Sequence, residues 1–572
     1  MKRPRTRWPI LATAAVLVLV LAVPATAAGG PWERAPRTGQ ADVSARGAKP
    51  LPAFAPAERD ALTRALERGR IDPATYALER ARALFDIGAV RERYGDVRRA
   101  DPREATLILR DLVLRLDELS ATQLRQARAI LARPTDGGSD PQGDGYTTAE
   151  QTPVCSSNGC VHYVNTTDDA PELTDSSPAN GVPDYVDTAL ATLDEVWAAE
   201  VTNYGYRAPK SDDTSTNDGG SPLIDVYIVD VGADELYGYC TTDDPNALPG
   251  SVYQYFDFSA YCVVDDDFAI DQFPSGANGI EALQVTMAHE FFHAVQFAYD
   301  AAEDRWFMES SSTWIEDEVY DPINDNWQYL PKSPIGQPQV PLDANNKFNV
   351  YGDWIFHRFL VESSPAKDPV IIRNAWKYAD ADSNGPDKYS LKAIGAVVKD
   401  LGARFRWVFA DFAMWNDLPA AVYDEGDDYG FAPPTDAFKI TRAKPRASGS
   451  IRVDHLSSRY YWFTPGTGVR DDAKLFVAMN GPVYKTGPEA SIVVLFKSGK
   501  VLLQPLALNR AGEADIVVKF GKGRVVEVDL VLTNTSIRRR TKCWTDEKWR
   551  YACAALPRDD NMPFSFQAQL IQ

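Results

Sequence analysis

The sequence predicts a multidomain α+β protein with a helical N-terminal segment, a mixed central domain and a C-terminal β-sandwich. Three observations carry that expectation. At 572 residues, 44% of them hydrophobic and 11% aromatic, the chain exceeds what one core holds, since single cores stop growing near roughly 250–300 residues. Apolar residues recur at helical spacing before Arg133 and in strand-length runs after Lys444. Between the first two parts, Pro134 to Glu150 (PTDGGSDPQGDGYTTAE) has no apolar period and the Gly, Asp, Pro and Thr content of a linker.

Taken in chain order, Lys2, Arg3, Arg5 and Arg7 precede an apolar run from Ile10 to Val23 and a small-residue Ala25-Thr26-Ala27 site. This is the pattern of an export signal over residues 1–27. The run falls short of the about 20 residues a membrane span needs, and Pro24 follows it rather than a stop-transfer flank. A secreted chain with no membrane span is expected.

Residues 28–133 should be helical. Asp72-Pro73 and Asp101-Pro102 each place a capping side chain before a first-turn proline. Glu104 adds a capping-box partner, and Ser120 with Gln123 makes another cap. Ala105, Ile108, Leu109, Leu112, Leu116 and Leu119 then fall on one helix face, which needs something to pack against. Charge also sets this part off. Of the 60 basic and 80 acidic residues, 24 and 16 lie within the first 136, leaving a net −28 on the remainder. So acidic a body argues against a nucleic-acid surface. A net basic segment ahead of it is a candidate propeptide, docked over the body until the linker is cut, or else a permanent helical domain packed against the central core.

A linker at 134–153 leads to a domain at 154–440, where strand-like runs such as Leu223–Val229 alternate with long helical patterns. Across 441–572 the runs Tyr460–Phe463, Lys474–Val477, Ile492–Phe496, Ala514–Phe520 and Val525–Leu532 read as short strands of a sandwich. Six cysteines fall into three local couples, Cys155 with Cys160, Cys240 with Cys262 and Cys543 with Cys553. In an exported chain such couples are expected to be disulfides, and no CxxC pair argues for a zinc ribbon.

The chemistry concentrates in one helix. Asn278 and Glu281 form a candidate capping box ahead of an uninterrupted helical pattern that contains His289-Glu290-Phe291-Phe292-His293. Residues four apart stand one turn above each other, so both imidazoles can bind one ion, while Glu290 can reach a water in the open coordination position. With five histidines in 572 residues, a chance HExxH is expected in roughly a few chains per thousand.

A catalytic zinc takes three protein ligands and leaves a fourth position open. No histidine follows at the metzincin spacing, and Gln296 stands where that motif has glycine. The third ligand should then be a carboxylate. Glu303 lies too near the end of the first helix, and Glu309 opens the next helical stretch, where the small Ser310–Ser312 allow close packing. Glu316, seven residues on, is the main rival and otherwise a partner of a ligand. Tyr320, Tyr351 and His357 are candidate oxyanion donors. The Asp175–Asp184 loop, with Asp168 and Asp169 before it, makes Ca2+ a candidate second ion, although an Asx turn accounts for the same residues. Asp265, Asp266 and Asp267 are a weaker candidate.

HEFFH followed by WFMESSSTWIEDEVY resembles the gluzincin clan of HExxH-plus-glutamate metalloproteases. It is most similar to a family of secreted bacterial metalloproteases with HEFFHA, a W-x-x-E-G-x-A-x-W-x-E-D segment and a YGDW-like stretch. The resemblance covers about residues 154–434. It implies a zincin-like catalytic domain with one Zn2+ per chain on His289, His293 and Glu309, Glu290 as general base, and a protein or peptide substrate. Ser310 and Ser312 replace the family's glycine and alanine, so substrate preference does not transfer. Two rival readings remain: a non-catalytic binding or surface protein on the same scaffold, and a zinc hydrolase of non-peptide amides or esters.

Overall fold

The computed structural model describes residues 36–40, 60–99, 104–139, 144–244, 257–345, 348–382, 385–540 and 556–572. The expected export signal, the Asp101-Pro102 cap and the Cys543–Cys553 couple lie outside the described residues. Within them the protein is mixed α and β and multidomain, with thirteen α-helices and three sheets.

Strand β1 (Arg37–Gln40) precedes helices α1 (Ala61–Glu67), α2 (Pro73–Phe85), α3 (Ile87–Tyr94), α4 (Ala105–Val113) and α5 (Ala121–Ile130). Asp72 caps α2 by accepting from the Thr75 N–H, and Ser120 with Gln123 forms both halves of a capping box on α5. The apolar face is buried from Ala105 to Leu116, but the helix stops at Val113 and Leu116 belongs to a separate 3-10 turn.

Strands β2 (Val154–Cys155), β3 (Gly159–His162), β4 (Ile224–Val229), β5 (Gly238–Thr241) and β6 (Tyr261–Asp265) form a sheet in the order β2-β3-β4-β6-β5. β3, β4 and β6 are parallel, and both edges pair antiparallel. Helix α6 (Asp184–Trp197) packs on β3, α7 (Gly279–Asp300) lies against β5 and β6, and α8 (Arg305–Val319) packs on α7. Helices α9 (Asn349–Gly352), α10 (Trp354–Ser363), α11 (Val370–Ala379), α12 (Leu391–Asp400) and α13 (Phe405–Asp417) follow.

Helix α7 is buried from Ala282 to Asp300 except at Gln284, as a helix that is apolar or small nearly all round must be. Its expected capping box does not form, because Gly279 opens the helix at φ +55° and Asn278 makes no side-chain cap bond. Gly238 sets how near the sheet can come. A Cβ there would meet the Val263 carbonyl at 2.7 Å and the Thr286 methyl at 3.1 Å, so glycine lets α7 lie on β5. Disulfides join Cys155 to Cys160 and Cys240 to Cys262, as expected, and the second ties edge strand β5 to β6.

The C-terminal strands are β7 (Asp436–Ile440), β8 (Arg446–Val453), β9 (Ser457–Pro465), β10 (Lys474–Asn480), β11 (Pro488–Phe496), β12 (Lys500–Pro505), β13 (Glu513–Lys519), β14 (Val525–Asn534) and β15 (Met562–Ile571). They form a six-stranded sheet, β1-β12-β11-β14-β9-β7, and a four-stranded one, β13-β10-β15-β8. Tyr461, Ile492 and Leu530 from the first sheet share an apolar core with Leu475, Val477 and Phe566 from the second. On the other face of the larger sheet, Val493, Leu495 and Val531 meet Ala413 and Met414 of α13. β1 departs from the helix expected over residues 28–133 and joins this sheet instead, with Gly39 paired to Val501.

The N-terminal helices share the central core, where Leu84, Leu107, Leu109 and Leu112 cluster with Tyr239, Met287 and Phe291. The stretch read as a connector is fastened at both ends. Arg133 is buried and donates to Asp212 and Asp225 at 2.5 Å each and to Asp243 at 3.1 Å. The Tyr146 hydroxyl donates to the Ile228 carbonyl at 2.8 Å. Removing one member of a buried ion cluster leaves the others uncompensated, a loss of about 3–5 kcal/mol. Arg133→Met is therefore expected to lower the free energy of unfolding by that amount, read as a fall in the denaturant midpoint, and an unchanged midpoint in chemical unfolding would contradict the structural role assigned to Arg133.

Candidate metal centre

Two histidines and a glutamate converge between α7 and α8. The His289 and His293 Nε2 atoms are 3.1 Å apart, and Glu309 Oε2 lies 3.3 Å from the first and 3.5 Å from the second. All three side chains are at most 2% exposed, so their charges are settled by one another rather than by water. The Glu309 oxygen meets the two imidazoles only at long, poorly aligned hydrogen-bond distances. A buried carboxylate so placed calls for a cation.

The ring orientations are imposed from behind. His289 Nδ1 pairs with Glu316 Oε1 at 2.6 Å and His293 Nδ1 with Gln296 Oε1 at 2.8 Å. An oxygen at Nδ1 accepts that atom's proton and leaves Nε2 facing the shared point. Gln296 is itself held through Nε2, which donates to the Met308 carbonyl at 3.0 Å and to Ser312 Oγ at 3.0 Å. Glu316 thus serves as a partner of a ligand candidate. Glu303 accepts from the Asp304 and Ser390 backbone N–H groups, and Glu318 pairs with Arg358.

Burial opposes a charge on His289, but hydrogen bonds to Glu309 and Glu316 outweigh it and push the imidazole up to about 10. Burial likewise works against the Glu309 carboxylate, while hydrogen bonds from His289 and His293 bring it down to about 2. With no metal bound, a proton on the imidazole supplies the positive charge that the glutamate requires.

Glu290 is 1% exposed. Its Oε2 accepts from the Thr106 hydroxyl of α4 at 2.5 Å, and the same hydroxyl accepts from the Cys240 N–H of β5 at 2.7 Å. Two residues earlier, Glu104 Oε1 pairs with Arg305 at 2.6 Å, one turn before Glu309 on α8. Neither contact is legible in the sequence, and nor is the role of Gln296.

The three oxyanion candidates part company. Tyr351 stands beside His289 with ring centroids 6.2 Å apart. His357 pairs with Ser310 Oγ at 2.8 Å and stacks on Trp306, and burial pushes it down to about 3. The Tyr320 hydroxyl donates to Glu195 on α6. The remaining histidines are paired elsewhere, His162 with Glu150 and Asp225 and His455 with Asp343 and Asp560.

The oxygen-rich loops hold themselves. Asp175 accepts from the Asn180 and Gly181 N–H groups and Asp184 from those of Ser176 and Ser177, while Asn180 Oδ1 accepts from the Val182 N–H two residues on, an Asx turn. Asp265 accepts from the Gly232 and Phe268 N–H groups and lies near Asp230 and Asp266.

No protein family and no curated protein matches the sequence. Among solved structures, the pre-peptidase C-terminal domain of a collagenase from Bacillus anthracis aligns over 24% of this chain and 97% of its own, at 14% identity and TM-score 0.13. CorA, a surface-associated copper-binding protein of Methylomicrobium album, aligns over 24% and 96%, at 8% identity and TM-score 0.14. A 4-O-methyl-alpha-glucuronidase specific for decorated arabinogalactans aligns over 53% and 43%, at 12% identity and TM-score 0.12. Likenesses this slight carry no argument about fold or function.

A metal must displace the proton on His289, so binding at neutral pH should release about one proton and weaken as the pH falls. Titration in weakly buffered indicator dye checks this, and uptake without proton release would contradict it. Glu309→Ala should abolish stoichiometric metal retention, whereas Glu316→Ala should cost about 10–100-fold in affinity. The reverse ranking in metal-content measurements would make Glu316 the ligand.

Proposed function

We propose that this chain is a secreted zinc peptidase, with one Zn2+ held by His289, His293 and Glu309 and with Glu290 as general base. The observation that carries the reading is the donor triangle of 3.1, 3.3 and 3.5 Å. Tetrahedral coordination at zinc bond lengths of about 2.0–2.1 Å places neighbouring donors about 3.3 Å apart. The triangle meets that spacing, and a His2Glu set leaves one position open, as catalytic sites do and structural sites do not. The oxygen partners behind both Nδ1 atoms support the same reading.

Zinc bound here supplies a Lewis acid that polarises the scissile carbonyl and acidifies a water. Glu290 takes the proton of the attacking water and passes it to the leaving amine nitrogen. That its Oε2 already accepts a hydroxyl hydrogen at 2.5 Å accords with the role. Tyr351, beside His289, is the best placed of the three oxyanion candidates. On this reading the central domain is zincin-like and of the gluzincin kind, and the two C-terminal sheets are an accessory β-sandwich. The disulfides accord with an exported protein.

A binding protein on the same scaffold would have no use for a carboxylate next to the first ligand, so Glu290 favours catalysis. Glu290→Gln should keep one zinc per chain while losing about 10²–10⁴-fold in turnover. Long incubation with a peptide library, read by mass spectrometry with and without chelator, measures even slow cleavage. Near wild-type hydrolysis by the variant would remove Glu290 from the mechanism. Absence of any chelator-sensitive peptide cleavage would remove the peptidase reading.

A further inference from the structure

A peptide bond must reach Glu290 and the metal ligands, yet His289, Glu290, His293 and Glu309 are at most 2% exposed. What touches Glu290 is the chain's own α4. Thr106 bridges the Glu290 carboxylate and the backbone N–H of Cys240, on the antiparallel edge strand β5. Groups of these two kinds, a base and an edge-strand N–H outside the sheet's own ladder, are what an incoming peptide engages. Arg110 of the same helix donates to the Ala301 and Glu303 carbonyls at 3.3 and 2.9 Å, which seats α4 on the turn between α7 and α8.

The second contact names a chemistry. Glu104 is 3% exposed and its carboxylate meets Arg305 at 2.6 Å. Burial works against the charge of that guanidinium, and the field of Glu104, then of Glu309 and Tyr351, restores it. Arg305 therefore lies within electrostatic reach of the metal centre. A partly desolvated guanidinium favours a planar carboxylate over any neutral group.

We propose that the first turn of α4 stands where substrate stands, and that Arg305, once parted from Glu104, is the specificity residue that receives a substrate carboxylate. That carboxylate belongs either to an acidic side chain or to a peptide C-terminus. The intact chain is then self-inhibited, with Thr106 and Glu104 in place of a ligand. The inference rests on the zinc-peptidase reading, and its test separates the two.

The test uses the full-length, zinc-loaded chain. Glu104→Gln with Thr106→Ala removes the ion pair with Arg305 and the hydroxyl on Glu290, and leaves the three metal-ligand candidates and Glu290 in the chain. Each form is assayed on matched fluorogenic peptides carrying internal Glu or Gln, with a free or an amidated C-terminus. The double variant should cleave at least tenfold faster than wild type. It should also prefer one carboxylate source by at least tenfold in kcat/KM, with the difference in KM. Preference for internal Glu identifies the side chain, and preference for the free terminus identifies the C-terminal carboxylate. Adding Arg305→Gln, which leaves a neutral Gln pair and so protects folding, should bring the ratio close to one. Equal rates for the double variant and wild type would overturn the self-inhibition. A ratio that survives Arg305→Gln would overturn the specificity role. If no form cleaves any peptide, the peptidase reading fails, and fluorescence anisotropy with the same peptides decides the inference. Carboxylate-dependent binding to the double variant that is lost with Arg305→Gln upholds it, and equal binding overturns it.

Discussion

Burying a carboxylate between two helices is tolerable only if positive charge is buried with it, and the centre of this protein is organised by that requirement. Glu309 is buried away from solvent, so it depends on His289 and His293 at 3.3 and 3.5 Å. They in turn depend on Glu316 and Gln296 to fix which ring nitrogen faces inward. Gln296 reaches across to the Met308 carbonyl and to Ser311 and Ser312. The run of serines on α8 thus does two things: its small side chains admit α7, and its hydroxyls satisfy the amide that holds His293. An alanine run would give the closeness without the hydrogen bonds.

The sheet supplies the second boundary. β5 is an edge strand, and edges leave backbone groups in need of partners. Here the edge is held in place by the Cys240–Cys262 bond and kept low by Gly238. The next helix can therefore rest on it with Glu290 pointing along its free side. The N-terminal helices use that side, burying Leu107, Leu109 and Leu112 in the core that contains Met287 and Phe291. The segment read from the sequence as helical, basic and a candidate propeptide is part of the same apolar interior as the candidate centre.

Local signals in the sequence carried further than distant ones. The HExxH spacing, the Ser120 and Gln123 cap and the Leu223–Val229 run each depend on residues a few positions apart, and each has its counterpart in the structure. The five C-terminal runs are strands for the same reason. Asn278 failed as a cap because its neighbour Gly279 takes a positive φ, which no pattern of residue types reveals. Contacts that bridge long separations left no trace. Thr106 and Glu290 are 184 residues apart, and an isolated threonine on an amphipathic helix resembles any other. Arg133 stood in the sequence as no more than the last residue of the helical segment, because its three carboxylate partners come from loops and a strand well beyond it. Gln296 was noticed only for not being glycine, since its value depends on a histidine one turn back and a helix not yet formed.

The pairing of β1 with β12 bears on the order in which the molecule can assemble. Gln40 donates to the Ser498 carbonyl across 458 residues of chain, and Gly39 lies beside Val501. Closing so large a loop before the intervening domains exist would cost entropy with little to offset it. Non-local strand pairing of this kind waits for the rest of the chain. The earliest strand among the described residues is therefore expected late in assembly, and the six-stranded sheet keeps that edge unfinished until the other parts of the fold have formed.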